Sequence, residues 1–127
     1  MAAADAAARP EVAGLGLPAC VRLRRSADFE RVFAHGRRSA DAYFTVVSRR
    51  APTDSARLGL AISRRCAQRA VARNRIKRLV RESFRAERWR LPALDLVVMC
   101  RRAAAGADNA TLRRSLAGHW QRLRSTR

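Results

Sequence analysis

A mixed α/β domain, built in the order helix, strands, helix, strand, helix around a small sheet, is the fold class that the sequence predicts. Three observations carry it. Apolar residues recur at helical spacing in three segments, they alternate or cluster at strand spacing in three others, and turn-forming residues stand between. At 127 residues, 48% of them apolar, the chain can bury one core but not two. Residues 21–127 therefore read as a single domain. The Ala-, Gly- and Pro-rich start, residues 1–20, reads as a disordered extension. That start carries an Asp where a secretory signal would carry positive charge, so export is not expected. No apolar run approaches the roughly 20 residues of a membrane span.

The first helix is expected in "SADFERVFAHG". Ser26 can cap it, Phe29, Val32 and Phe33 share one face, and Gly36 stops it. Arg22, Arg24 and Arg25 form a basic lead-in. "DAYFTVVSRR" is rich in aromatic and β-branched residues and reads as a strand, "APTDS" as a turn. In "ARLGLAISRR", Leu58, Leu60 and Ile62 alternate with small or polar neighbours, the period of a half-buried strand.

A long central helix is expected from about Ala67 to about Arg88, with Ala72, Ile76, Leu79, Val80, Ser83 and Phe84 on one arc. The rest of its circumference is swept by Arg73, Asn74, Lys77, Arg78, Arg81 and Arg85. "ALDLVVMCRR" reads as a buried strand and "AAAGAD" as a loop. "NATLRRSLAGHWQRLRS" closes the chain as an amphipathic helix capped by Asn109, with Leu112, Leu116, Trp120 and Leu123 inward.

The charge narrows the function. Twenty-eight basic residues face ten acidic ones, a net charge of +18. Such an excess opposes compaction unless an anionic partner offsets it. All the basic residues but Lys77 are Arg, which suits planar recognition of phosphate and also suits a GC-rich coding sequence. The arginines concentrate at strand ends (Arg49, Arg50, Arg64, Arg65, Arg101, Arg102) and on one sector of the central helix. Little acid is interleaved, so a nucleic acid is the fitting partner. The aromatic residues allow either core packing or stacking with unpaired bases.

Catalysis by the polypeptide alone is not expected. The carboxylates are sparse and scattered, and neither His35 nor His119 stands near a Cys at metal-ligand spacing. There is no GxSxG, P-loop or Rossmann glycine pattern. Cys20, Cys66 and Cys100 show no CxxC, which reads as reduced thiols, with Cys100 a small core residue.

"RLGLAISRRCAQRAVARNRIKRLVRESFR" resembles the protein subunit of bacterial ribonuclease P, and "ARNRIKRLVRESFR" is similar to that family's RNR signature. The resemblance continues through "LPALDLVVMCRR" and "RLRRSADFERVF", about 100 residues in all. It implies an α/β sandwich, ribosomal-protein-like, in which the central helix joins two parallel strands by a left-handed crossover. It also implies a function. A catalytic RNA with bound Mg²⁺ removes the 5′ leader from precursor tRNA, and the protein contacts both RNA and leader, as a cytoplasmic monomer in a 1:1 ribonucleoprotein.

Carried over position by position, the resemblance assigns Arg73, Asn74, Arg75, Lys77, Arg78 and Arg81, with Arg85, to the catalytic RNA. Phe29, Phe33 and Phe44 would line a leader cleft edged by Arg64, Arg65, Arg101 and Arg102. Where many members carry a further aromatic on the first strand, this chain has Val46 and Val47. A ribosomal protein or RNA chaperone of similar basic fold is the alternative. It would need the charge but not both Asn74 in its basic setting and the Phe29/Phe33 helix.

Overall fold

The computed structural model describes Leu17 and residues 21–125. The extension expected over residues 1–20 lies outside the described residues, apart from Leu17, which is buried in the core. The segment after Arg25 forms helix α1 (Ser26–His35), in which Ser26 is the first helical residue and Arg25 occupies the cap position. Gly36 ends α1. A Cβ there would lie 2.4 Å from the Val32 carbonyl oxygen and 2.6 Å from Val47 Cγ1, so close approach to the sheet requires glycine.

Four strands follow the chain as β1 (Arg37–Ala40), β2 (Phe44–Arg50), β3 (Arg57–Ala61) and β4 (Leu94–Cys100). They form one sheet in the order β1-β2-β4-β3. β1 is a strand that the sequence did not announce, because "RRSA" has no apolar alternation and sits at an edge. It pairs antiparallel with β2, which pairs antiparallel with β4. β3 and β4 are parallel neighbours, with Leu58 beside Leu96 and Leu60 beside Val98.

The crossover between them is helix α2 (Ala70–Glu87), closed by a 3-10 turn (Arg88–Arg90). Its buried residues are Ile76, Leu79, Val80 and Phe84, four of the six expected on the inner arc. "RAAAG", read as loop, forms the short helix α3 (Arg102–Gly106). Helix α4 (Asn109–Arg124) buries Leu112, Leu116, Trp120 and Leu123 as expected. Its cap is Asp108, whose side chain accepts the Thr111 N–H; Asn109 is taken by another partner described below.

The two sheet faces differ. α2 and α4 cover one of them, where Phe44, Val46, Leu58, Leu96 and Val98 meet Phe84, Leu112, Leu116 and Trp120. Each such side chain removed from water stabilises the fold by about 1.5–3 kcal/mol. α1 covers only part of the other face, where Val32 and Leu23 pack on Val47 and Val97. Phe29, Ala61 and Met99 remain partly exposed there.

Parallel pairing also brings together two cysteines 34 residues apart. Cys66 and Cys100 form a disulfide with a Cα–Cα separation of 5.7 Å. This overturns the expectation of reduced thiols, for which wide spacing in sequence was a poor guide. Cys20 lies outside the described residues.

One polar network holds α4 to the sheet edge. His119, fully buried, accepts at Nδ1 from the Ser39 hydroxyl (2.8 Å), and Ser39 accepts from Arg122 Nε (2.9 Å). His119 Nε2 lies 3.3 Å from Asp41 Oδ2, which also takes the Ser115 hydroxyl. Asp41 Oδ1 accepts the N–H groups of Tyr43 and Phe44, forming the turn into β2. Burial lowers the His119 pKa below 6.5, and the nearby Asp41 offsets that only in part. Burial would raise the Asp41 pKa, but the bonds from Ser115, Phe44 and Tyr43 prevail and lower it to about 2.

The pH dependence follows from both shifts. The unfolded chain binds a proton at His119 more readily than the fold does, so stability is complete above 6.5 and declines as pH falls below it. A second decline, as Asp41 protonates, runs from its ordinary 3.8 toward about 2. Urea midpoints measured from neutral pH to pH 4 are expected to fall, and H119Q is expected to flatten the upper part of that curve.

Candidate nucleic-acid interface

α2 starts without a side-chain cap and without an acidic residue in its first turn. Its positive end is therefore left uncompensated. Arg73 folds back over this start, donating from Nη1 to the carbonyls of Ala67 (3.0 Å) and Gln68 (2.7 Å), and so holds the loop that leads into the helix. Asn74 and Arg78 are exposed, and Lys77, Arg81 and Arg85 half-exposed. Asn74, Lys77, Arg78 and Arg85 have no hydrogen-bond or ion-pair partner among the described residues. Exposed cationic groups without acids are suited to phosphates.

Arg75 departs from this group. Its guanidinium turns inward, donating to Asn109 Oδ1 (2.5 Å) and to the carbonyls of Ala104 (3.5 Å), Ala105 (3.4 Å) and Ala107 (3.1 Å). It fastens α2 to the end of α3 and the start of α4, so it is a structural clamp here rather than a free phosphate ligand.

The four strand-end arginines were separate features of the sequence; parallel pairing gathers them. Arg64 and Arg65 follow β3, Arg101 and Arg102 follow β4, and all four are exposed. Arg65, Arg101 and Arg102 line one groove with Ser63, Cys66 and Cys100. Arg49 and Arg50 go elsewhere. Antiparallel pairing sets them opposite Asp95 and Leu94, at the far end of β4.

The open part of the α1 face extends toward the same end of the sheet, since Ala61 and Met99 are near the ends of their strands, whereas the groove of Arg65, Arg101 and Arg102 is lined by Cys66 and Cys100 from the cluster of the other face. Phe33 is 37% exposed and Phe29 is half-buried. Phe29 packs closely on the sheet because residue 59 is glycine: a Cβ there would come within 2.7 Å of Phe29 Cζ. Phe44 does not belong here. It is fully buried in the core cluster beneath α2 and α4, on the opposite face, so it cannot line the cleft. In the run "YFTVV" both faces of β2 are hydrophobic, and periodicity left its direction open.

Two further features escaped the sequence reading. The stretch before α1 runs parallel beside β3, with the Leu23 N–H donating to the Leu58 carbonyl (2.9 Å). This sets Arg22 near Arg81, in a groove shared with Arg24 and Phe29. Burial and then the charge of Arg22 lower the Arg81 pKa, as expected where two cations face each other with no acid between. The groove thus links the Phe29 cleft to the basic face of α2. The second feature is Trp89, which is 78% exposed at the end of α2. Among the described residues no three His, Cys, Asp or Glu converge as metal ligands.

Arg75→Ala is expected to lower the unfolding free energy by about 2–4 kcal/mol, because Asn109 and three carbonyls lose a charged donor at once. Its nucleic-acid affinity should fall only as far as the folded fraction does. Denaturant melts and binding measured in stabilising sulfate check this.

With this geometry in place, comparison with known proteins identifies the scaffold. The family profile of ribonuclease P matches residues 17–124. The ribonuclease P protein component of Thioalkalivibrio sulfidiphilus is 55% identical over 108 residues, 85% of this chain and 90% of that protein. That of Methylococcus capsulatus is 46% identical over 107 residues, 84% of each. Among solved structures, the Staphylococcus aureus RNase P protein superposes with a TM-score of 0.75 at 30% identity, covering 83% of this chain and 95% of that one. The Thermotoga maritima protein gives 0.72 at 34%, covering 80% and 96%. Family profile, close relatives and fold agree, and the chain belongs to the ribonuclease P protein family.

Proposed function

We propose that this protein is the accessory subunit of a ribonucleoprotein endoribonuclease, in which a ribonuclease P RNA removes the 5′ leader from precursor tRNA. The observation that carries the reading is that Arg64, Arg65, Arg101 and Arg102 gather, all exposed, at the end of the sheet toward which the partly open face of Phe29, Ala61 and Met99 extends. A single-stranded leader offers phosphates and unpaired bases, and an apolar floor edged by Arg holds both with little sequence preference. The basic face of α2, with Asn74, Lys77, Arg78, Arg81 and Arg85, takes the catalytic RNA. Arg73 joins it through whatever donors its loop contacts leave.

In this reading the Mg²⁺ ions belong mainly to the RNA, and the protein supplies no nucleophile. It lowers the repulsion between two RNAs, keeping the substrate bound when Mg²⁺ is scarce. The complex is a 1:1 assembly acting in the cytoplasm. Among the described residues no helix is long and apolar enough to cross a membrane. No observation favours the ribosomal-protein alternative.

Reconstitution with a bacterial ribonuclease P RNA and precursor tRNA at low Mg²⁺ tests the proposal. Stimulation of leader removal is expected, and its absence would remove the assignment. In that assay Phe33→Ala should weaken leader-bearing tRNA by about 5- to 100-fold, the range of one lost stacking contact, and leave mature tRNA nearly unchanged.

The α2 face has its own measurement. Lys77→Ala with Arg78→Ala should reduce the slope of log affinity against log salt by about 1.4 to 1.8, the value for two phosphates. An unchanged slope would place that face away from RNA.

A further inference from the structure

Asn74, Arg78, Arg81, Arg85 and Trp89 follow one another at intervals of three or four residues, the spacing of a single helix stripe. Trp89 is the last member of the stripe, standing in the 3-10 turn that closes α2. It is 78% exposed, whereas Trp120 is fully buried. A single exposed apolar residue needs no special cause, and Val71, 80% exposed near the start of α2, is such a case. Trp89 differs in three respects.

Its ring is held. The Arg88 guanidinium carbon lies 4.1 Å from the ring centroid, so one face of the indole is covered by a cation and oriented by it. Its mounting is also firm. The Leu91 N–H closes the turn onto the Arg88 carbonyl (3.2 Å), and the Leu91 side chain is buried in the core. Its surroundings are basic. Arg85, Arg88 and Arg90 flank it; of the two acids of α2, Glu87 is already paired with Arg124 (2.6 Å) and lies 3.9 Å from Arg90, and Glu82 stands two turns back.

We propose that Trp89 is a stacking platform for an unpaired base of the RNA bound along α2. This rests on the RNA-binding reading above and extends it to a ligand of defined chemistry. An indole with one face on a guanidinium keeps the other free for a base, and the flanking arginines reach that nucleotide's phosphates. A base stacked between neighbours inside a duplex has no free face to offer. The platform therefore selects single-stranded or bulged RNA at this end of the helix, about 22 Å from Asn74 at the usual rise per residue.

The chain carries its own probe, because its two tryptophans are Trp89 and Trp120, and the second is shielded, donating from Nε1 to Ser83 Oγ (2.7 Å). Full-length protein is titrated with short oligoadenylate and, in parallel, with polyphosphate, following tryptophan emission. W89F supplies the Trp120 background. Oligoadenylate is expected to quench the Trp89 signal and polyphosphate to leave it nearly unchanged.

W89A should weaken oligoadenylate binding by about 5- to 100-fold, and W89F by less, with the salt slope unaltered because no charge is removed. Equal quenching by both polymers would overturn the platform, as would wild-type affinity in W89A. In either case the RNA-binding reading stands if oligoadenylate still binds. If the wild-type protein does not bind oligoadenylate at all, both readings fall.

Discussion

Because β3 and β4 run parallel and adjacent, the chain leaving the end of one must return to the start of the other, and α2 makes that return. The rest of the molecule follows from this pairing. It puts residues 62–66 beside residues 99–102, which joins Cys66 to Cys100 and collects Arg64, Arg65, Arg101 and Arg102. It starts α2 from the same basic edge. Register is set by Arg57 and Asp95, direct partners across the two strands, joined by two short bonds of 2.8 and 2.7 Å. Asp95 is almost fully buried, and it raises the Arg57 pKa. A slip of one residue would leave that carboxylate buried without a cation, which is strongly unfavourable.

The scarce acids explain how a chain of net charge +18 folds while keeping a cationic surface. Asp95 holds two strands, Asp41 shapes a turn and faces α4, Asp28 pairs with Arg31, Glu87 ties α2 to α4, and Asp108 caps α4. Each sits where the scaffold has a cation or a run of N–H groups to satisfy. The outer face of α2 keeps its charge because α2 carries only two acids, Glu82 and Glu87, and Glu87 is paired with Arg124. The repulsion left over is what an RNA partner relieves, and binding then becomes steeply salt-dependent.

Arg73, Arg75 and Arg81 show why a signature is not a list of ligands. They lie within nine residues of one helix, yet one clamps its own loop, one clamps α3 to α4, and one faces Arg22 across a groove. A long guanidinium with five donors can cap backbone carbonyls as readily as it binds a phosphate. Which of the two it does depends on what stands within reach. That is a property of packed elements rather than of residue type.

From the amino-acid sequence alone came the element types of the strongly periodic segments, the inner arc of α2, the inward residues of α4, and the cationic character that calls for RNA. All of these are local: they depend on spacing along the chain and on composition. The disulfide, the inward turn of Arg75, the burial of Phe44, edge strand β1 and the gathering of four arginines were decided by tertiary structure. Each involves partners distant in sequence. A strand hydrophobic on both faces has no intrinsic inside, and two strand ends become one site only when the sheet sets them side by side.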